Sequence, residues 1–353
     1  MPTPIVPLVP SDTVWLSRGP FPTATSIALK QGWFQTVFDP LGYKVKSLQE
    51  TTQPALRSQH FYHDIKMLIR EVGNVHPLWT RAHNLKTVGR DLTVVVGLTW
   101  LNEAQLLLGR SGASSNLRGK RLALSNAPGE IDVWRAMALR AYDTALKLQG
   151  LTFDDVILTD IAAPAVQWQH PGRTRGAGSE VTEQALLDGE VDVIFARGGN
   201  ALLFQEHHGL DILLDVNRLE NPNLSVNNGT PRLITIHRHF LDDHPELVTA
   251  HLQVLNAAAL WARSNEAAAT QIIAEETATT VESVWLGSSP ASPVAFDISL
   301  APERVAALQS QADFLFSNGL IEARLDVAEW IDLRPLQAAM TEPFPPRLTK
   351  GAA

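Results

Sequence analysis

The sequence predicts an α/β protein of two lobes, with a ligand cleft between them and a mostly helical C-terminal segment. Three observations carry this expectation. Short apolar runs alternate with amphipathic stretches up to about residue 240, which is the pattern of sheets covered by helices. From about residue 245 onward the chain reads as nearly all helix. With 353 residues, 45% apolar and 19% charged, it is long enough for two average domains around a large core.

Taken in order, strands are expected at Thr13–Leu16, Lys44–Leu48, Met67–Val72, Thr93–Thr99 and Ala104–Leu108, each a run of apolar residues or an alternation with polar ones. The same signal recurs at Arg121–Ser125, Val156–Thr159, Val191–Ala196, Ile212–Asp215 and Arg232–His237. Helical spacing marks Ile131–Leu148, Val181–Asp188, Pro245–Ser264 and Pro302–Ser317. Proline in a first helical turn costs no hydrogen bond, and Asp242-Asp243 suits the positive end of the helix that His244-Pro245-Glu246 opens. Strand-then-helix alternation predicts parallel sheet covered on both faces. The lobes are expected to comprise residues 1–99 with 236–353, and 100–235, the cleft lying where strand C-termini and helix N-termini converge. No internal repeat is visible, and the proline-rich ends (1–10 and 343–346) are expected to be loose.

Composition narrows the function. The net charge is −8, from 29 basic and 37 acidic residues with no basic tract, which argues against nucleic-acid binding but leaves room for a local cationic pocket. The chain has no cysteine, which excludes disulfides, zinc thiolates, iron–sulfur clusters and a thiol nucleophile. The redox compartment is not revealed by that absence. The first ten residues carry no Lys, Arg or long apolar run, so no signal peptide is read there, and no stretch approaches the ~18 uncharged apolar residues of a membrane span. A cytoplasmic protein without membrane insertion is expected. A start from which an export signal had been trimmed would look the same, and would mean a periplasmic or lipid-anchored protein.

The most suggestive segment is His60-Phe61-Tyr62-His63-Asp64 followed by Ile69-Arg70-Glu71-Val72-Gly73-Asn74. Arg70 is expected to end a strand and Gly73-Asn74 to open a short helix reaching about Arg81. An arginine fork beside free helix-terminal N–H groups would suit a carboxylate, sulfonate or phosphate, with His60 as proton donor or acceptor. A surface arginine and a histidine capped in a loop is the plainer alternative. A second candidate, Ser125-Asn126-Ala127-Pro128-Gly129-Glu130, leaves a strand and enters a helix, where backbone amides could hold an anion; as an ordinary turn it needs no function. It lacks the Gly-Lys-Ser/Thr of a Walker loop. The third, Gly172-Arg173-Thr174-Arg175-Gly176-Ala177-Gly178, is a basic loop, either a plain connection or a hinge, without the preceding strand of a dinucleotide fingerprint.

His237 and His239 are expected to share a strand face with Asp242, Asp243 and His244 close behind, and Glu206-His207-His208 is another cluster. Neither has a recognised ligand spacing, so no metal and no cofactor is expected, and no G-x-S-x-G elbow is present. There are nine tryptophans; Trp15, Trp100, Trp134 and Trp168 fall near expected strand ends or inter-lobe loops, where an aromatic ligand would be favoured.

Several segments carry a resemblance. Gly189-Glu190-Val191-Asp192-Val193, His244-Pro245-Glu246-Leu247-Val248 and Trp261-Ala262-Arg263 look like periplasmic-type solute-binding proteins of the sulfonate and taurine group. More specifically, the chain resembles the 2'-hydroxybiphenyl-2-sulfinate desulfinase family, which shares that two-lobed type II fold without a transport role. The likeness includes Gly32-Trp33-Phe34, His60-Phe61, Arg70 with Gly73, Pro77-Leu78, Leu117-Arg118-Gly119-Lys120-Arg121 and the segment Phe314 to Leu320. In that family a cysteine in a Cys-Pro-x-Pro turn works beside this histidine, with the arginine and glycine in the same pocket. The matching turn here is Gly19-Pro20-Phe21-Pro22, so Gly19 stands at the nucleophile's position and Ser17 matches a serine two residues before it. The resemblance implies His60 and Arg70 as catalytic residues. Ser17, Gly19, Phe61, Gly73 and Asn74 are then expected to contact the substrate, together with Ser125 and Asn126 from the second candidate.

Two functions follow as expectations. One is a desulfinase-like enzyme, hydrolase or lyase, acting without a thiol on a sulfinate or carboxylate of a small aromatic or heteroaromatic substrate. The other is a transporter-associated binding protein for a sulfonate-like or aromatic anion, with a permease as partner.

Overall fold

The computed structural model describes residues 9–18, 21–129, 131–164, 177–288 and 291–341. Its strands are β1 (Thr13–Arg18), β2 (Lys44–Ser47), β3 (Leu68–Gly73), β4 (Thr93–Thr99), β5 (Gln105–Gly109), β6 (Arg121–Asn126), β7 (Ile157–Ala162), β8 (Val193–Arg197), β9 (Asp211–Asp215) and β10 (Arg232–His237). Its helices are α1 (Ala24–Lys30), α2 (Trp33–Phe38), α3 (Pro54–Arg57), α4 (Gln59–Tyr62), α5 (Val75–Thr87), α6 (Val133–Leu148) and α7 (Ala177–Leu187), then α8 (Gly198–His208), α9 (Arg238–Asp243), α10 (Pro245–Ser264), α11 (Glu266–Glu276), α12 (Val281–Ser288), α13 (Pro302–Ser317) and α14 (Arg334–Thr341).

The strands form two five-stranded sheets, in the orders β2-β1-β3-β10-β4 and β7-β6-β8-β5-β9. Pairing is mixed, not wholly parallel as the alternation suggested. β1 runs parallel to β2 and β3, and β6 to β7 and β8, whereas β10 is antiparallel to β3 and β4, and β5 to β8 and β9. The physical reason lies in the path of the chain. β5 and β10 are the strands it makes on crossing from one sheet to the other, so each enters its sheet from the far side without the helical crossover that parallel pairing needs.

The two long C-terminal helices begin and end where their periodicity places them, at Pro245–Ser264 and Pro302–Ser317. α6 starts two residues later than expected, because Asp132 caps it by accepting the N–H of Arg135. α7 starts earlier, at Ala177. α8 carries no apolar stripe and escaped the periodicity reading; the turn of β8 into Gly198-Gly199 opens it.

One core packs the first sheet against α1, α2, α10, α11 and α12, through residues such as Leu16, Ile69, Ile236, Phe34, Leu252 and Val284. A second core runs across both sheets: Val95, Leu98 and Leu233 of the first join Leu107, Leu122 and Leu124 of the second, with α6 and α13 filling the space. The sheets are therefore packed together and not merely tethered by linkers. Where α8 meets α12, a Cβ on Gly199 would lie 1.8 Å from the carbonyl oxygen of Ser283, so only glycine fits that crossing. Among the described residues no helix is long and apolar enough to cross a membrane.

Candidate functional site

Parallel pairing brings the ends of β1 and β3 side by side, with Ser17 opposite Arg70 and Arg18 opposite Glu71. The one-turn helix α4 comes in over this edge and stops at His63, whose left-handed conformation (φ 58°) ends the turn. It delivers His60, whose Nδ1 lies 2.8 Å from Ser17 Oγ, both residues being buried. Phe61 sets its ring edge-on to His60, with centroids 5.2 Å apart, and His76 of α5 closes the group.

Arg70 is fully buried, and its fork is mostly occupied by protein. Nη1 donates to the carbonyl oxygens of His60 (3.0 Å) and Phe61 (3.1 Å), and Nε to Thr235 Oγ1 (3.3 Å). Only Nη2 is without a partner among the described residues. Arg70 thus ties α4 to the sheet and holds His60 in place.

The helix-terminal amides expected beside it are not free. The N–H of Asn74 donates to the Asn228 carbonyl (2.8 Å) and that of Val75 to Asn228 Oδ1 (2.9 Å). Asn74 Nδ2 in turn donates to the carbonyls of Asn227 (2.6 Å) and Pro231 (2.9 Å). Asn228 plugs the start of α5, and a Cβ on Gly73 would come within 2.5 Å of its side chain. Gly73 is required for that close approach, and the open anion cradle drawn from sequence is corrected to a filled one.

Sequence reasoning missed the charges around this edge. Glu71 and Arg232 line a narrow recess whose enclosed volume is only about 10 Å³, room for one water-sized group, with Thr99, Trp100, Pro22 and Phe296 among its walls. Arg232 starts β10 and is buried, and its Nε and Nη2 have no partner among the described residues. The guanidinium groups of Arg232 and Arg197 lie 4.8 and 4.7 Å from the ring centre of Phe21. Arg197 pairs with Glu103, Arg18 with Glu276 (2.7 Å), and Thr25 donates to Glu71. The only sequence signals were single arginines at strand ends, which ordinarily mean solvent.

Burial dominates the electrostatics. It drives the proton affinity of His60 well below the ordinary histidine value, and the neighbouring His76 and the charges of Arg70 and Arg232 push it further in the same direction. The imidazole is therefore neutral at neutral pH. Burial lowers Arg70 to about 10 and His76 to about 3, and pushes Glu71 up despite the opposing charge of Arg232.

Ser125 and Asn126 lie elsewhere, at the end of β6 in the second sheet. Ser125 Oγ is buried, has no partner among the described residues, and faces Trp134, Thr182 and Phe195. Asn126 is exposed, and Asp132 takes the neighbouring Ala127 N–H (2.9 Å). That pocket shares no lining residue with the Arg232 recess. Gly19 and Pro20 lie outside the described residues, as do Trp168 and residues 172–176 of the basic loop; Gly178 is in α7. His237 ends β10 while His239 sits on α9, so the two do not share a strand face. Among the described residues no three His, Asp or Glu side chains converge to hold a metal ion.

Two five-stranded mixed sheets covered by helices, with a cluster of buried charge at the strand ends of the first, make a two-lobed, type II periplasmic-binding-protein-like fold. Solved structures similar to this chain include a cysteine-to-serine mutant of DszB in complex with biphenyl-2-sulfinic acid, 20% identical, with a TM-score of 0.69, covering 93% of this chain and 99% of that one. They also include the periplasmic aliphatic sulphonate binding protein SsuA from Escherichia coli (17% identical, TM-score 0.67, 92% of each chain). A third is the alkanesulfonate-binding protein SsuA from Xanthomonas axonopodis pv. citri bound to MOPS (16% identical, TM-score 0.61, 92% of this chain and 100% of that one). No protein-family model matches the sequence, and no curated protein matches it significantly. Identities this low establish the fold, which serves a desulfurization enzyme and binding proteins alike.

Proposed function

We propose that this chain is an enzyme of desulfinase type, replacing an acidic substituent on a small aromatic or heteroaromatic anion with a proton. The observation that carries the reading is the buried Ser17–His60 hydrogen bond set in the field of Arg70 and Arg232. Alone, His60 is too hard to protonate to serve as an acid. An anion arriving beside the arginines offsets their charge and raises the proton affinity of the imidazole, so the ligand itself creates the acid that its conversion needs.

The chemistry is then a proton exchange. Imidazolium Nδ1–H passes a proton to Ser17 Oγ while the serine's own proton goes to the ring carbon that bears the acidic group. The carbon–sulfur bond breaks, its electron pair returns to the ring, and sulfur leaves as sulfur dioxide, which water converts to hydrogensulfite and a proton. A carboxylate would leave as carbon dioxide by the same steps. Arg70 acts through its bonds to the His60 and Phe61 carbonyls, and Gly73 and Asn74 keep the β3–α5 corner in register. No thiol is needed for this route, and the chain has none.

A second reading is a binding protein that passes a sulfonate-like anion to a permease. The missing thiol and the sulfonate-binding relatives of the same fold favour it. The two separate in one experiment, in which the purified protein is incubated with aryl sulfinates, sulfonates and carboxylates, each followed by mass spectrometry. Loss of a compound with release of sulfite or carbon dioxide is the expected result. If every compound persists while one of them raises the melting temperature, the binding reading replaces it.

A further inference from the structure

We infer that Arg232, not Arg70, is the residue that grips the ligand's anionic group, and that the ligand is a singly charged oxyacid with an apolar body. The inference rests on the anion-ligand reading above and goes beyond it by naming the binding residue and the ligand class.

The two arginines differ in what remains of their forks. Arg70 spends Nη1 on two carbonyl oxygens and Nε on Thr235, which makes it a positioning residue for His60. Arg232 is just as deeply buried, at 2% exposure, yet neither Nε nor Nη2 has a partner among the described residues. Its nearest carboxylates are otherwise engaged, Glu103 with Arg197 and Glu71 with Thr25, and no ion pair to Arg232 forms among the described residues. A cation taken out of water with two N–H groups unmet is costly, and an oxyanion with two acceptor oxygens is the group that meets both.

The recess on which Arg232 opens suggests what the anion is attached to. With about 10 Å³ enclosed, the recess takes only the oxyacid head, and an apolar or aromatic body would rest at its mouth against Trp100, Phe296, Pro22 and Pro293. The charge follows from neighbouring pairs. Arg18–Glu276 and Arg197–Glu103 are neutral as pairs, and among the described residues Arg232 is the one cation that lines the recess, so a head group of one negative charge matches it there. Sulfinates, sulfonates and carboxylates meet these terms; phosphate monoesters do not.

Benzenesulfinate, benzoate and phenyl phosphate titrated calorimetrically into wild-type protein and into Arg232→Gln test the assignment. The expected result is binding of the first two to wild type, at least about thirty-fold weaker binding to Arg232→Gln, and an intermediate loss in Arg232→Lys, which keeps the charge without the fork. Circular dichroism shows whether each variant is folded. Should neither fold, crystals of wild-type protein soaked with benzenesulfinate decide the matter, an oxygen on Arg232 Nε or Nη2 being expected. Unchanged affinity in a folded Arg232→Gln, an anion seated away from Arg232, or a preference for phenyl phosphate would overturn the assignment while leaving an anion-binding protein in place. If wild type binds none of the three, the assignment and the reading beneath it fall together.

Discussion

The strand ends of the two sheets occupy equivalent places in the topology and are built very differently. At the β1–β3 edge of the first sheet, Arg18, Arg70, Glu71 and Arg232 are all buried, with His60 and Ser17 hydrogen-bonded among them. At the β6 end of the second, the ion pair Arg135–Asp160 reaches solvent, and the buried polar groups that line the pocket among the described residues are the uncharged Ser125 and Thr182. Burying charge costs stability unless every partner is supplied, so a strand end that concentrates charge is a candidate for chemistry. A strand end without it can be a plain turn. The contrast separates the two anion sites that looked alike in the sequence.

The largest expected effect comes from removing the group at the centre of the first edge. His60→Ala is expected to lower kcat/KM on whichever aryl anion is consumed by about 10²- to 10⁴-fold, whereas Ser125→Ala changes it less than about two-fold. Equal effects in the two variants, measured by sulfite or carbon dioxide release, would erase the distinction.

Acid should sharpen the contrast. His60, His63, His76 and His251 are held neutral by burial on the first-sheet side, with His76 and His251 at about 3 against an ordinary value of 6.5. His207 and His208 of the second are exposed. A depressed folded-state value means the unfolded chain takes up protons first. The stabilisation is therefore complete above about pH 6.5 and is lost as pH falls toward 3, by about 1.4 kcal/mol per pH unit for each histidine. Hydrogen exchange at pH 5 and 7.5 should show β1, β3 and α10 losing protection before β6 and β8; the opposite order contradicts the account.

The smallest effect is steric. Gly73→Ala puts a Cβ 2.5 Å from the Asn228 side chain and should cost about 1–3 kcal/mol in urea unfolding. In Gly178→Ala the new Cβ meets Ser125 Oγ at 2.7 Å, but the gain in helix propensity of about 1 kcal/mol offsets part of that clash. If the two variants lose the same stability, the β3–α5 corner is not the tighter one.

How much of this could be read beforehand depends on range. Pro245–Ser264 and Pro302–Ser317 are long and periodic, and proline marks both starts, so local chemistry places them to the residue. The antiparallel entry of β5 and β10 has no local signature, because direction in a sheet depends on where the chain comes from. His60 and Arg70 are ten positions apart and drew notice together. Asn228, which fills the α5 start, is more than 150 positions from Asn74 and could not be anticipated. The same holds for Arg232, which reads as one more arginine before an apolar strand.

The sequence alone, then, determined the alternation of elements, the helical C-terminal third, the exclusion of thiol chemistry and the local pairing of a histidine with an arginine. These are properties of composition and of residues within a turn or two of each other. Tertiary structure decided which donors remain free. Whether an arginine is a clamp or a brace depends on which carbonyls, hydroxyls and carboxylates the fold brings to its fork. For Arg70 they come from α4 and β10, whereas for Arg232 none come to Nε or Nη2 among the described residues. Burial then makes that difference matter, because an unmet N–H costs little in water and a great deal inside a protein.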